Sequence, residues 1–480
     1  MVPSRHRRLA VAAAALALAG CTSLIPPYQR PAAPVAATYP EQAASAPAAA
    51  GEAAADVDWQ RFFADPRLKR LIALALADNR DLRVAVLNIE QTRALYQVRR
   101  ADELPTVGAG GSVSRTPVGS SVVTVYAVGL TVTSYELDLF GRVHDLSQAA
   151  LAQYFATAEA RKAAQISIVS SVANAYLNVL ADDELLRVTR QTLESRVESN
   201  RLTKLRFDNG VSSELDYRQA ESLLEGARAA LAQAERQRML DENALVLLVG
   251  QALPPDLPPP LPLDQQQIPI DLPAGLPSDL LVRRPDIRAS EQQLLAANAN
   301  IGAARAAFFP RITLTASYGT ASSELSGLFK SGSWAFTGTA QLLQPIFDAG
   351  RNQANLDVAR VDRDIAVAQY ERSIQNAFRE VSDALAGRAT FGEQLRAQAA
   401  QTNALAIAYR LADLRYRSGA ASFLDSLDAA RTLFAAQTLL VQTRALELQN
   451  LVTLYRALGG GWNENAELAA GTTPAIPPPR

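Results

Sequence analysis

The sequence contains one cysteine, Cys21, which excludes an intramolecular disulfide and a multi-cysteine metal site. Histidine occurs twice, as His6 and His144, and His6 falls in a segment expected to be removed. One mature histidine builds no multi-histidine metal site and leaves a Ser-His-Asp triad without support. Lysine is confined to Lys69, Lys162, Lys204 and Lys330, so arginine carries nearly all the positive charge. The net charge is −1, which offers no basic surface for nucleic acid. With no metal spacing, no nucleophile–base pair and no phosphate-binding glycine loop, an enzyme is not expected, nor a cofactor. After the N-terminus no run reads as apolar enough for a transmembrane helix, so a membrane crossing would fall to strands. What is present is apolar: 48% of the 480 residues are hydrophobic and 20% charged, too apolar for a disordered chain.

Residues 1–20 read as a lipoprotein signal peptide. Arg5, Arg7 and Arg8 form a charged start, Leu9 to Ala19 an apolar run too short to span, and Leu18-Ala19-Gly20 precede Cys21. Small residues directly before a cysteine resemble the bacterial lipobox, whose cysteine is lipidated and becomes the first mature residue. The alternative is an ordinary signal peptide with an incidental cysteine. Thr22 follows in place of the aspartate typical of inner-membrane retention, which favours the outer membrane. Residues 21–60, rich in proline and alanine, read as a lipidated tether, and the proline-rich stretch 253–279 reads as a linker.

The segments on either side of that linker resemble each other. Gly141-Arg142 matches Gly350-Arg351, Gly210 matches Gly419, Leu215-Asp216 matches Leu424-Asp425, and Gly250 matches Gly459, all at an offset of 209 (Gly141 to Gly350). Upstream, Asp81 matches Asp286 and Pro105 matches Pro310 at an offset of 205 (Asp81 to Asp286), so the loop region between absorbs four residues (209 against 205). The expectation is a duplicated unit of helix, strand pair, very long helix and return helix. The first repeat spans 61–252, with strands about 106–133 and long helices about 142–250. The second spans 280–459, with strands about 311–343 and long helices about 351–458, and 460–480 is a tail.

Within these repeats the first helices are expected at roughly 66–103 and 280–308. Long helices follow from about Leu146 to Phe207 and Asn355 to Arg417, each a rod of roughly 90–95 Å. Asn209-Gly210 and Ser418-Gly419 break them, and return helices run from about Ser213 to Val249 and Ser422 to Leu458. Leu427, Phe434, Val441, Leu448 and Tyr455 recur every seven residues, a coiled-coil seam.

Four stretches, 106–115, 122–133, 311–319 and 334–342, alternate apolar with small polar residues, as strands of an outer-membrane barrel do. Tyr126, Tyr318, Trp334 and Phe336 fit aromatic girdles. A half-buried sheet on a soluble domain has the same alternation. Four strands cannot close a barrel and an eight-stranded interior fills with side chains, whereas three chains of four strands leave a lumen.

Several motifs together carry a resemblance. They are the lipobox at Cys21, Tyr135-Glu136-Leu137-Asp138-Leu139-Phe140-Gly141 and Leu281-Val282-Arg283-Arg284-Pro285-Asp286-Ile287-Arg288. To these add Phe309-Pro310-Arg311-Ile312, Pro345-Ile346-Phe347-Asp348-Ala349-Gly350, Tyr416-Arg417-Ser418-Gly419, Phe423 to Arg431, and Leu454 to Trp462. From Cys21 to Trp462 the chain resembles the TolC-type outer-membrane factors, in the lipidated NodT/OprM-like branch of tripartite (RND) efflux systems. The resemblance implies a mostly helical fold with a membrane β part. In it a homotrimeric twelve-stranded barrel is continuous with a long periplasmic helical barrel. It implies a periplasmic adaptor and an inner-membrane RND-type pump as partners, a lipid on Cys21, outer-membrane lipid around the strands and conduction without chemistry.

The helix breaks mark the far ends of the rods and so the periplasmic mouth. Asp425 and Asp428, three apart on one helical face, match the aperture aspartates of the family. In a trimer they form carboxylate rings. Asp216 is the first-repeat counterpart of Asp425, with Gln219 opposite Asp428, so its ring is weaker. Acids in a helix first turn also simply complement the dipole. Tyr416 matches the tyrosine of the family's latch. Ala420 and Ala421 occupy the slot of the latch arginine, leaving Arg417 as a substitute that would pair with Asp208 or Asp216. Gly210, Val211, Gly419 and Ala420 lie in the tips expected to contact the adaptor, and the glycines terminate helices in either case. The competing functions are a duct for drugs, solvents or metals, a duct for protein (type I) secretion, and a lipid-anchored coiled-coil scaffold.

Overall fold

The computed structural model describes residues 23–40, 53–266, 268, 272 and 277–462. The signal peptide, Cys21 and the tail beyond Trp462 lie outside them. In chain order the elements are α1 (Trp59–Phe62), α2 (Pro66–Asp78), α3 (Arg80–Ala101), β1 (Val107–Val118), β2 (Ser121–Leu137), α4 (Arg142–Asp208) and α5 (Glu214–Val249). Then come α6 (Pro277–Arg283), α7 (Pro285–Ala306), β3 (Arg311–Ser322), β4 (Trp334–Leu343), α8 (Arg351–Arg417) and α9 (Phe423–Ala457).

The duplication is written into the backbone. α4 and α8 are each 67 residues long and both their ends differ by 209 (Arg142 to Arg351, Asp208 to Arg417). Gly141/Gly350, Gly210/Gly419 and Gly250/Gly459, the pairs of the same offset, all have positive φ, between 70° and 86°. Both long helices start about a turn earlier than their apolar pattern suggests. The carboxylates of Asp138 and Asp348 accept hydrogen bonds from the N–H groups of His144 and Asn352, at 2.7 and 2.9 Å, and so cap the added turn.

Three expectations need correction. The helices expected over 66–103 and 280–308 are each divided, at Asn79 and at Arg284, which are equivalent positions of the repeat. Asn79 caps the second piece, its Oδ1 accepting from the Leu82 N–H at 3.0 Å while its Nδ2 donates to the Leu248 carbonyl at 2.8 Å. At the other break Pro285 bars its predecessor from helical backbone and then starts α7. The linker expected over 253–279 yields to helix at Pro277. Finally, α4 does contain an 18-residue stretch with a hydropathy of 1.2, enough by composition to cross a membrane. That stretch is 56% buried against protein, as a core helix is.

The chain divides into two compact units. The first comprises residues 23–33, Leu87–Glu159 and Asp286–Ser373. Its centre is one antiparallel sheet in the order β1-β2-β3-β4. The register pairs Val113 with Tyr126, Ala109 with Leu130, Leu130 with Tyr318, and Tyr318 with Phe336. One face therefore collects Val107, Val113, Tyr126, Leu130, Tyr318 and Phe336, and the other collects Ser112, Ser114, Thr131, Ser317, Thr337 and Gln341. A bulge after Val132, where Ser134 has φ 58°, lets β2 continue to Leu137 beyond its expected end. Among the described residues β1 and β4 pair on one side only, and every residue of both is exposed.

The part of the expected tether that is described in this unit is docked. Ser23 Oγ donates to Asp145 at 2.6 Å, Asn298 donates to the Pro26 carbonyl at 2.8 Å, and Arg30 forks onto both oxygens of Glu291 at 2.7 and 2.8 Å.

The second unit comprises Pro34–Val86, Ala160–Pro285 and the residues from Ile374 onward. Tyr455 anchors it: its ring stacks on Phe62 with centroids 3.9 Å apart, and its hydroxyl donates to the Val57 carbonyl at 2.6 Å. Leu427, Val441, Leu448 and Tyr455 of the seven-residue seam are buried, and Phe434 is half-buried.

Candidate functional site at the helix turns

Both long helices end in the same hydrogen-bonded turn within the second unit. After α4, the N–H of Gly210 donates to the Phe207 carbonyl at 2.9 Å and that of Val211 to the Arg206 carbonyl at 2.8 Å. After α8, Gly419 donates to Tyr416 at 3.0 Å and Ala420 to Arg415 at 2.9 Å. These are Schellman turns, and they need the left-handed backbone that glycine supplies. A Cβ built on Gly210 or Gly419 would meet nothing within 4 Å, and Val211 is 67% exposed.

The return helices differ in how their first acid is used. At α5, Ser213 and Asp216 form a capping box: the Asp216 N–H donates to Ser213 Oγ at 3.1 Å, and the Asp216 carboxylate accepts from the Ser213 N–H at 3.3 Å. Ser212 Oγ also donates to that carboxylate, at 3.1 Å. At α9, the Asp425 N–H donates to Ser422 Oγ at 3.4 Å with no reciprocal bond from its carboxylate among the described residues. Asp425 and Asp428 are both exposed, while Ser426 and Leu427 between them are buried. Asp216 is thus engaged in holding its turn, and the two second-repeat aspartates project from one open face.

Between the turns lies a small apolar knot. Ala220, Phe423 and Leu427 are buried together with Leu223 and Tyr416 against them. The Tyr416 ring lies 5.1 Å from that of Phe423. Its hydroxyl is buried and has no hydrogen-bond partner among the described residues.

The expected role of Arg417 is corrected here. It pairs with Asp413 on its own helix at 2.8 Å, and not with Asp208 or Asp216. Asp208 is held by Lys204 at 2.8 Å, so each charge has found its partner one turn back along its own helix. The arginine that meets Tyr416 is Arg206 of the other repeat, whose guanidinium lies 4.8 Å from the ring centre. Sequence reasoning missed Arg206. Its signal was weak: it sits one turn before Gly210, and nothing in the order of residues says that this end of α4 lies against the end of α8.

Comparison with known proteins agrees with this architecture. The family model for outer membrane efflux proteins matches twice, over residues 71–251 and 276–460. The toluene efflux pump outer membrane protein TtgC of Pseudomonas putida is 48% identical over 465 residues, covering 95% of this chain and 96% of that one. The outer membrane protein OprJ of Pseudomonas aeruginosa is 45% identical over 464 residues, covering 95% and 96%. Among solved structures, the open state of the MtrE outer membrane channel of Neisseria gonorrhoeae superimposes with a TM-score of 0.83 at 42% identity, covering 92% of this chain and 98% of that one.

Proposed function

This chain belongs to the outer membrane efflux protein family, and on that premise we propose that it is the passive exit duct of a tripartite efflux pump, passing small apolar molecules outward without chemistry. The observation that carries the reading is the sheet. Its register gathers most of the large apolar side chains, among them Val113, Tyr126, Leu130, Tyr318 and Phe336, on one face and mainly small or polar ones on the other, and its two outer strands have exposed edges. Long exposed edges are normally blunted or paired. Pairing β4 of one protomer with β1 of the next, three times over, closes a twelve-stranded barrel with its apolar face to lipid and a polar lumen. The name of the toluene efflux relative supports small apolar cargo over exported protein.

In this reading the protein is a homotrimer anchored by an acyl group on Cys21, and it needs no cofactor. A periplasmic adaptor meets the uncovered turns at Gly210, Val211, Gly419 and Ala420, and an inner-membrane RND-type pump supplies the energy. Asp425 and Asp428 ring the periplasmic mouth. Tyr416 latches the two repeats through Arg206.

The latch makes a prediction. Arg206→Ala removes a cation–π contact worth about 0.5–2 kcal/mol, so the single-channel open probability in planar bilayers is expected to rise several-fold. Asp413→Ala frees Arg417 and leaves the opening unchanged. If the two variants open the channel equally, the latch does not run through Arg206. The function itself is tested in a Gram-negative host stripped of its own outer membrane efflux proteins. Expressing the chain with its adaptor and pump is expected to lower toluene accumulation several-fold. Accumulation that stays the same, with the protein present in the outer membrane, refutes the duct.

A further inference from the structure

Away from the turns, α4, α5 and α9 enclose a cleft of about 680 Å³. Its apolar wall includes Leu185 on α4 and Phe434, Val441 and Leu446 on α9. At one end the carboxyl groups of Asp182 on α4 and Asp241 on α5 meet. Asp182 is only 9% exposed, and its Oδ2 has no hydrogen-bond partner among the described residues. Asp241 accepts one hydrogen bond, from Gln237 at 3.0 Å.

Buried carboxylates are expected to be paired with a cation. The arginine placed to do this is committed elsewhere: Arg238 binds Asp183 and Glu242, each at 2.6 Å. The charged groups around the pair are therefore Asp183 on α4 and Arg238 on α5. α9 faces the cleft with Thr438, Gln442 and Gln449 and contributes no charge to its wall. No cluster of three metal-binding side chains occurs among the described residues, so the donor set does not suit a divalent metal. One buried and one half-buried carboxyl group, an aromatic ring and an aliphatic wall in a cleft of ligand size suit a different guest.

We propose that this cleft binds a hydrophobic organic cation, its charged centre between Asp182 and Asp241 and its apolar body against Phe434 and Val441. Nothing in the duct reading requires such a site, and it stands or falls separately. Without a guest, the Asp182 carboxyl holds its proton more tightly than an ordinary carboxylate does. Burial and the neighbouring Asp241 push the Asp182 carboxyl up to about 7. A cation entering between the two expels that proton, so binding and protonation compete. The sign follows: affinity for the cation rises with pH. The protonated pair also stabilises the fold without a guest. With its folded value above the ordinary 3.8, the native chain holds more protons than the unfolded one in the window between the two values. That contribution is full at acid pH and declines as pH rises toward 7.

The test is equilibrium dialysis of tetraphenylphosphonium against the full-length protein in lipid nanodiscs, with empty nanodiscs subtracted. For the wild type, affinity is expected to rise about tenfold between pH 6 and pH 8, whereas neutral triphenylphosphine oxide shows no such rise. Asp182→Asn with Asp241→Asn is expected to lower affinity at pH 8 at least about tenfold and to abolish the pH dependence. Wild-type binding indifferent to pH, equal binding of the neutral probe, or an affinity unchanged in the double variant each overturns the proposal. The pH series on the wild type needs no variant, so it decides the matter even if the substitutions disturb folding.

Discussion

Asparagine at both Asp425 and Asp428 is expected to cut the cation-over-anion permeability of the channel by about tenfold in dilute salt. Both carboxylates are exposed on one face across the first two turns of α9, and neither is drawn into a capping box. In a trimer the pair is present three times around one axis. At separations near 8 Å each unit charge acts on a passing ion with about 0.5 kcal/mol even in a water-like dielectric. The rings together then contribute on the order of 1–3 kcal/mol, which is the tenfold effect. Screening makes a second signature: with a Debye length of about 10 Å at 0.1 M and 3 Å at 1 M, the selectivity fades in concentrated salt. Reversal potentials across a potassium chloride gradient read both. Asp216→Asn is the contrasting case. Its carboxylate closes the Ser213 box, so its loss is expected to cost about 1 kcal/mol of stability and leave selectivity nearly unchanged. If Asp425→Asn/Asp428→Asn alters only thermal stability, the two acids are helix caps and the mouth lies elsewhere.

Gly129→Val is expected to abolish assembly. Gly129 on β2 faces Gly319 on β3 in the register that joins the two repeats. A Cβ on Gly129 would sit 2.5 Å from the Tyr318 carbonyl oxygen and 2.6 Å from the Gly319 Cα. Both obstacles are backbone, so no side chain can turn aside to make room. Overpacking of this kind costs about 3 kcal/mol or more, and here it falls on the strand pair without which neither repeat's hairpin reaches the other. The expected result is loss of the trimer from the outer-membrane fraction. Gly119→Ala is the control, because the space around Gly119 is open, although its φ of 61° imposes a modest local strain. Normal outer-membrane trimer from Gly129→Val means that β2 and β3 do not meet as described.

The glycines that end α4 and α8, the acids after them and the alternation in all four strands are local signals, and each repeat confirms the other at the same offset. At that offset the bounds of α4 and α8 agree with each other to the residue. The break before Pro285 has a local signal, the proline, which the expected helix over 280–308 passed over, and the matching break at Asn79 depends on a side chain reaching the Leu248 carbonyl, far along the chain. Arg206 over Tyr416 and Asp182 beside Asp241 have the same character: ordinary charged residues on helix faces, given meaning only by which helix lies opposite. The proline-rich segment after Cys21 misled in the other direction. Its composition suits a free tether, yet Ser23, Pro26 and Arg30 are held by Asp145, Asn298 and Glu291, contacts that no periodicity announces.

The central claim, a closed barrel shared among protomers, is tested most directly by the native mass of the protein extracted from outer membranes in mild detergent. The account predicts three chains per particle, each beginning at an acylated Cys21. A monomer or dimer, with four or eight strands at four per chain, would leave no open lumen and would contradict it.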